Sequence, residues 1–179
     1  MAEKKEQKII EEKIDVTGVK VVINGNTITL NNTSSQLTKQ FNSKIVSVVL
    51  NGNNITLKPI GKYNKQKKSI INSLVSHLNN MIQGNKQPFE KKMQVIYSHF
   101  PVTVEIKGKD VTIKNFLGEK KPRKSTIVGN AQMKIAGPEI TVTGTSPEDV
   151  GQTCQNIIKA VKIKGKDIRV FQDGIYYIE

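Results

Sequence analysis

The sequence predicts an α+β protein of two tandem, duplicated domains, each an antiparallel β-sheet of two hairpins covered by one α-helix. Three observations support this prediction. A twelve-residue segment recurs 83 residues later, apolar residues alternate on both sides of glycine-containing turns, and an amphipathic helical stretch follows each set of hairpins. Because an antiparallel sheet must bury its apolar face, one helix with a single apolar stripe is enough to cover it.

The repeat defines the domain organisation. Val19–Leu30 aligns without gaps with Val102–Ile113, and five of the twelve positions are identical. Self-similarity at about half the length of a 179-residue chain is typical of two copies of one small domain. We therefore expect a flexible lead-in at 1–15, a first repeat at 16–84, and a second repeat with a C-terminal extension at 85–179.

In the first repeat, alternating apolar residues flank two turns, Asn24–Asn26 and Asn51-Gly52, which favour the positive φ angles of β-hairpins. The apolar stripe that runs from Ile70 to Ile82 at helical spacing then predicts a helix. We expect Gly84 to end this helix, because glycine is common just past a helix C-terminus.

The second repeat has the same order of elements. A strand at Met93–Tyr97 precedes the hairpin of Val102–Ile113, and a further hairpin turns at Gly137-Pro138. The second helix has a well-marked start, with Ser146 as N-cap and Pro147 as its first residue. We expect Gly165 to end it.

The charge of the chain points to a polyanionic partner. It has 28 basic and 15 acidic residues, a net charge of +13 shared by both repeats, which favours nucleic acid first and an anionic membrane second. No apolar run reaches the roughly 18–20 residues of a transmembrane helix, and the charged start is unlike a signal peptide. We expect a soluble, cytoplasmic protein with no membrane attachment.

The second repeat differs from the first in two basic segments. The basic loop, residues 114–124, carries five cations and one anion, and Phe116 and Leu117 are its candidate anchors. A pinned loop loses less entropy when it binds a phosphate backbone than a free loop does. The C-terminal basic segment, residues 162–169, follows the last helix, where part of its charge complements the helix dipole. A third run, residues 58–68, is equally consistent with a solvated face or an RNA contact.

Catalysis finds no support in the sequence. His77, His99 and Cys154 are far apart in the chain, and we expect packing or hydrogen-bonding roles for them. Glu119, among cations, is expected to order its loop. The sequence contains no phosphate-binding glycine loop and no metal-ligand spacing, so we expect no cofactor and no metal.

Four motifs make the chain similar to a known family. They are Ser76–Ile82 (SHLNNMI), Tyr97–Pro101 (YSHFP), Asn115–Lys120 (NFLGEK) with Pro122-Arg123, and Lys164–Tyr176 (KGKDIRVFQDGIY). They closely resemble the L-six family of large-subunit ribosomal proteins in its archaeal form, whose eukaryotic counterpart is named L-nine. The resemblance runs from about residue 16 to residue 179.

The resemblance implies a duplicated two-domain protein that binds large-subunit ribosomal RNA, mainly through the second domain. It also implies neighbouring large-subunit ribosomal proteins as partners and translation factors that dock nearby. The RNA contacts that it implies are Lys114, Asn115, Lys120, Lys121, Arg123, Lys124, Lys162, Lys164, Lys166 and Arg169. Because most of these are lysines, we expect recognition of RNA shape and backbone more than of base sequence.

Two other functions remain alternatives to this one. A free-standing RNA-binding module, such as an RNA chaperone, would use the same basic hairpin loops equally well. An RNA-processing enzyme would require a convergent polar site, and the sequence shows none. Whether the first repeat contacts RNA stays open.

Overall fold

A computed structural model describes residues 12–16, 20–31, 36–52, 54–61 and 64–178. The chain divides into two compact units, Met1–Lys86 and Gln87–Glu179. Each unit contains short antiparallel strands and one α-helix, as the α+β prediction requires.

The first unit is built from two three-stranded sheets and a long helix. Its elements are β1 (Glu12–Asp15), β2 (Lys20–Asn24), β3 (Thr27–Asn31), β4 (Gln36–Gln40), β5 (Val46–Asn51), β6 (Asn54–Pro59) and α1 (Lys65–Lys86). The sheets have the orders β2-β3-β4 and β1-β6-β5. The two predicted hairpins are β2–β3 and β5–β6, and their turns place Gly25 and Gly52 at φ 56° and 61°.

One apolar core joins these elements. Ile28, Leu30, Ile55 and Leu57 are fully buried, and α1 packs against β1 and β6. Ile71, Leu74, Leu78 and Ile82 form the buried stripe of the helix, as their spacing predicts. Ile70 is 39% exposed, because the stripe is centred on Ile71 and leaves its neighbour at the edge.

Several details of the first unit differ from the predictions. The predicted flexible lead-in contains β1, which pairs with β6 through residues far along the chain. Helix α1 runs two residues past Gly84, which is buried inside it. A helical glycine costs only about 1 kcal/mol, and the packed stripe outweighs that cost. Residues 1–11 of the lead-in, Val19 of the first hairpin and Lys62 of the third basic run lie outside the described residues. Lys67 in that run donates to the Ile60 carbonyl at 2.7 Å.

The second unit repeats this plan with one additional strand. Its elements are β7 (Phe89–Ile96), β8 (Thr103–Lys107), β9 (Asp110–Lys114), a 3₁₀ turn (Phe116–Gly118), β10 (Arg123–Thr126), β11 (Gln132–Ala136), β12 (Glu139–Gly144), α2 (Pro147–Ala160) and β13 (Gly174–Tyr177). The sheets have the orders β10-β9-β8 and β11-β12-β7-β13, and α2 packs against β7, β10, β12 and β13. Met93, Ile113, Ile140 and Ile157 are fully buried in its core.

The start of α2 is confirmed and its end is corrected. The Ser146 hydroxyl accepts a hydrogen bond from the Asp149 N–H at 3.3 Å, and Pro147 is the first helical residue. The helix ends at Ala160 with Val161 as its C-cap, well before Gly165. The C-terminal basic segment is therefore irregular backbone from its first residue.

Candidate nucleic-acid interface

The basic loop begins in a tight turn whose backbone conformation is unusual. Within it, Asn115 and Leu117 have φ angles of 59° and 52°, a left-handed region that residues with a Cβ rarely adopt. Phe116, between them, is 1% exposed and packs in the core of the second unit. The predicted anchoring of the loop by Phe116 is confirmed, and Leu117 packs against the same core as a half-buried side chain.

Two of the expected RNA contacts at the start of the loop have partners within the unit. The Asn115 side-chain amide donates to the Pro101 carbonyl at 3.0 Å, and Lys114 Nζ lies 2.6 Å from Glu105 Oε1. The hydrogen bond from Lys114 lowers the pKa of the Glu105 carboxyl. Both Lys114 and Asn115 are exposed, so they stay at the surface although each has one donor in use.

Arg123, at the other end of the loop, is held on several sides. Its Nε and Nη2 donate to the two carboxylate oxygens of Glu119 at 2.9 and 2.6 Å. Its Nη1 donates to the backbone carbonyls of Ala160 and Lys162 at 3.0 and 3.1 Å. The guanidinium carbon lies 4.5 Å from the centre of the Phe116 ring, a cation–π contact. Arg123 is thus joined to its own loop, to the end of α2 and to the C-terminal basic segment.

The pKa values of the Glu119–Arg123 pair shift in the directions that such a contact requires. The hydrogen bond from Arg123 lowers the pKa of Glu119, burial opposes the shift, and the charges of Arg123 and Lys166 add to it. The same hydrogen bond raises the pKa of Arg123. The expectation that Glu119 orders its loop agrees with this geometry.

Three of the expected RNA contacts in the basic loop have side chains without a partner in the described part of the chain. Lys120, Lys121 and Lys124 are exposed and make no hydrogen bond or ion pair with any residue that the structure describes. Lys124 is on β10, where the buried Ser125 alternates with exposed neighbours, so its side chain faces solvent. These ammonium groups retain all their donors for a ligand.

The cations of the C-terminal basic segment are all exposed: Lys162, Lys164, Lys166 and Arg169. Lys166 Nζ lies 4.6 Å from the centre of the Phe171 ring. Arg169 is 91% exposed and lies 3.7 Å from Asp167 Oδ1, a surface pair of little energetic weight. Because Arg123 binds the Lys162 carbonyl, this segment and the basic loop lie on adjoining parts of one surface.

A buried carboxylate beside this surface was not predicted from the sequence. Asp173 is 1% exposed, and its Oδ1 accepts hydrogen bonds from the Ser98 N–H at 2.9 Å and from His99 Nδ1 at 3.3 Å. Burial raises the pKa of this carboxyl, but the hydrogen bonds from Ser98 and His99 outweigh burial and the pKa is lowered overall. The hydrogen-bonding role expected for His99 is confirmed. His99 and Asp173 belong to two different motifs, 74 residues apart in the chain, and no local pattern connects them.

The aromatic residues near the C-terminus differ in burial. Phe171 is half-buried and stacks on His99 with ring centres 5.0 Å apart. Tyr176 and Tyr177 are 47% and 46% exposed, because β13 is an edge strand. The Tyr176 hydroxyl donates to the Gln172 carbonyl at 3.1 Å.

Other kinds of site are not evident in the described part of the chain. There, no three or more His, Cys, Asp or Glu side chains are grouped so that they could hold a metal ion. None of the described helices has the length and apolar character needed to cross a membrane. Cys154 is fully buried, as expected of a small apolar residue on the helix stripe, and burial raises the pKa of its thiol.

Comparisons with known proteins agree with the motifs. The sequence profile of the family described as Ribosomal protein L6 matches residues 100–174, which include both basic segments. Several archaeal proteins named large ribosomal subunit protein uL6 are similar over nearly the whole chain. The protein of Methanosphaera stadtmanae is 42% identical over 162 residues, 90% of this chain and 88% of its own length.

Two further relatives are similar to the chain at the same level of identity. The uL6 protein of Methanobrevibacter smithii is 41% identical over 94% of this chain and 95% of its own length. That of Thermoplasma acidophilum is 42% identical over 90% of each chain. Sequence identity of 41–42% that extends over both units indicates common descent and not only a shared fold. The chain belongs to the uL6 family of large ribosomal subunit proteins, which is structural and not enzymatic.

Proposed function

We propose that this chain is a structural constituent of the large ribosomal subunit that binds ribosomal RNA through the basic surface of its second unit. The supporting observation is that Lys120, Lys121 and Lys124 are exposed and unengaged beside the exposed cations of the C-terminal basic segment. Ammonium groups with free donors neutralise phosphates and release counterions, which is the main source of affinity for a nucleic-acid backbone. Neighbouring ribosomal proteins complete its environment in the cytoplasmic ribosome.

The expected contacts are proposed to act in different ways. Lys120, Lys121, Lys124, Lys164 and Lys166 neutralise phosphates directly. Lys114 and Asn115 reach RNA while also bound within the unit, at 2.6 Å to Glu105 and 3.0 Å to Pro101. Point charges on a shaped surface select RNA geometry and not sequence. The location of this surface near the docking region of translation factors rests on the family resemblance alone.

The test is the salt dependence of binding to large-subunit ribosomal RNA. Wild type is compared with Lys120→Ala/Lys121→Ala, which leaves Arg123 and its hydrogen bonds intact. We expect weaker binding and a shallower dependence of log K on log salt, by about 0.7–0.9 for each phosphate that the variant no longer neutralises. A free-standing RNA-binding module would show the same slope but would not co-sediment with large subunits through high salt.

The matched control removes two lysines from the first unit. Lys20→Ala/Lys44→Ala changes the charge equally, and both residues are exposed and lie outside the third basic run. We expect its affinity and slope to stay close to those of wild type. Equal losses of affinity for the two variants would mean that overall charge, and not the surface of the second unit, determines binding.

A further inference from the structure

We propose that the Glu119–Arg123 pair is a positioning device that holds the basic loop and the C-terminal basic segment together as one RNA-binding surface. This inference rests on the proposed function and adds a specific role for two residues. Arg123 then acts through the residues it holds and is not itself a phosphate contact. Glu119, an anion on a surface for phosphates, orients Arg123.

The hydrogen bonds of Arg123 leave it little capacity for a phosphate. Phosphate recognition by arginine uses its planar fork in a bidentate contact. Here that fork, Nε and Nη2, is bound to the Glu119 carboxylate at 2.9 and 2.6 Å. Nη1 makes two further bonds, and a face of the guanidinium lies on Phe116 at 4.5 Å. The side chain is only 22% exposed.

The two carbonyls that bind Nη1 belong to the point where α2 ends. Carbonyls in the last turn of a helix lack partners within the helix, and a cation there satisfies them and complements the helix dipole. Arg123 binds the carbonyl of Ala160, the last residue of α2, and that of Lys162, the first residue of the C-terminal basic segment. The direction in which that segment leaves the helix is therefore tied to the loop.

The loop end of the pair is also anchored. Glu119 follows the turn formed around the buried Phe116, and its backbone N–H donates to the Phe116 carbonyl at 3.0 Å. A continuous set of contacts thus runs from the core, through Glu119 and Arg123, to Lys162. Groups that are already ordered lose less entropy on binding, so a preorganised surface binds more tightly with the same charges.

Glu119→Gln is a test in which two explanations predict opposite changes in RNA affinity. If the surface worked by charge alone, removal of a negative charge would tighten RNA binding. If Glu119 positions Arg123, the variant lacks the bidentate, charge-assisted pair and binds RNA roughly five- to tenfold more weakly. The salt slope should stay at the wild-type value, because the same phosphates are still neutralised. Glu139→Gln is the matched control, since Glu139 is exposed in the same unit; it should bind as wild type or slightly more tightly.

Arg123→Lys is the second variant. A lysine keeps the charge, so a direct phosphate contact would be largely preserved, but it cannot make the four hydrogen bonds of the guanidinium. We expect weaker binding at an unchanged slope. Protection of the buried Cys154 thiol from alkylation verifies that each variant is folded during the measurement.

The outcomes separate the two proposals. Wild-type or tighter binding by Glu119→Gln, or wild-type binding by Arg123→Lys, overturns the positioning role while the Lys120→Ala/Lys121→Ala result stands. If Lys120→Ala/Lys121→Ala also binds RNA like wild type, the proposed RNA-binding surface itself is wrong. Weaker binding by both pair variants at constant slope, with thiol protection retained, supports the positioning role.

Discussion

Leu117 offers a prediction in which the usual order of alanine and glycine is reversed. Its backbone is left-handed, with φ 52° and ψ 28°, and this conformation costs a residue with a Cβ about 1–2 kcal/mol. Leu117→Ala and Leu117→Gly both remove the half-buried side chain, but only glycine also removes the Cβ. Glycine also gains about 0.4–1 kcal/mol of entropy in the unfolded state, which offsets part of the relief. The glycine variant should therefore be at least as stable as the alanine variant, and more stable by up to about 1.6 kcal/mol.

The measurement is urea unfolding of both variants, monitored by labelling of the single cysteine, Cys154, which is buried in the same unit. Ile158 provides the control, because it is half-buried in α2, where alanine should be more stable than glycine by about 1 kcal/mol. If Leu117→Ala is more stable than Leu117→Gly, the left-handed turn is not the conformation of the loop in solution.

Four further predictions concern the second unit. Asp173→Asn should lower the free energy of unfolding at pH 7 by about 1–3 kcal/mol. The pKa of Asp173 is lower in the folded state than in the unfolded state. The stabilisation is therefore fully present above the unfolded pKa of about 3.9 and is lost as pH falls through the folded pKa. Urea unfolding should show that the stability of the variant approaches that of wild type at low pH. Alkylation of Cys154 in the native state should be at least about 100-fold slower than in urea, and comparable rates would show that the thiol is accessible. Gly129→Ala should destabilise by about 1–2 kcal/mol in thermal unfolding, because φ is 59°, a left-handed conformation that strains a residue with a Cβ, and the Asp149 carboxylate must also move aside. Gly151→Ala, in α2 with open space around it, should instead stabilise by about 0.5–1 kcal/mol.

Features that depend on neighbouring residues were predictable from the sequence. The Asn-Gly turns at Gly25 and Gly52 and the Ser146-Pro147 start of α2 follow from local backbone preferences, and the structure has them where expected. The buried stripe of α1 follows from periodicity, which reports one face of a helix directly. The family was recognisable for a similar reason, because its motifs are continuous stretches of chain.

Features that depend on distant partners were not predictable. β1 and β13 form only because β6 and β7 present free edges to residues remote in sequence. The burial of Asp173 requires Ser98 and His99, which no local pattern connects to it.

Arg123, in the candidate interface, also combines a feature that the sequence predicted with one that only the structure shows. The family resemblance marked it as an RNA contact, and the sequence by itself determined that the loop is basic and offered Phe116 as a candidate anchor. Only the tertiary structure places the end of α2 beside β10, and so decides that the Arg123 guanidinium binds Glu119 and two carbonyls. A charged group binds whichever acceptors the folded chain brings within about 3 Å, and composition carries no record of that proximity.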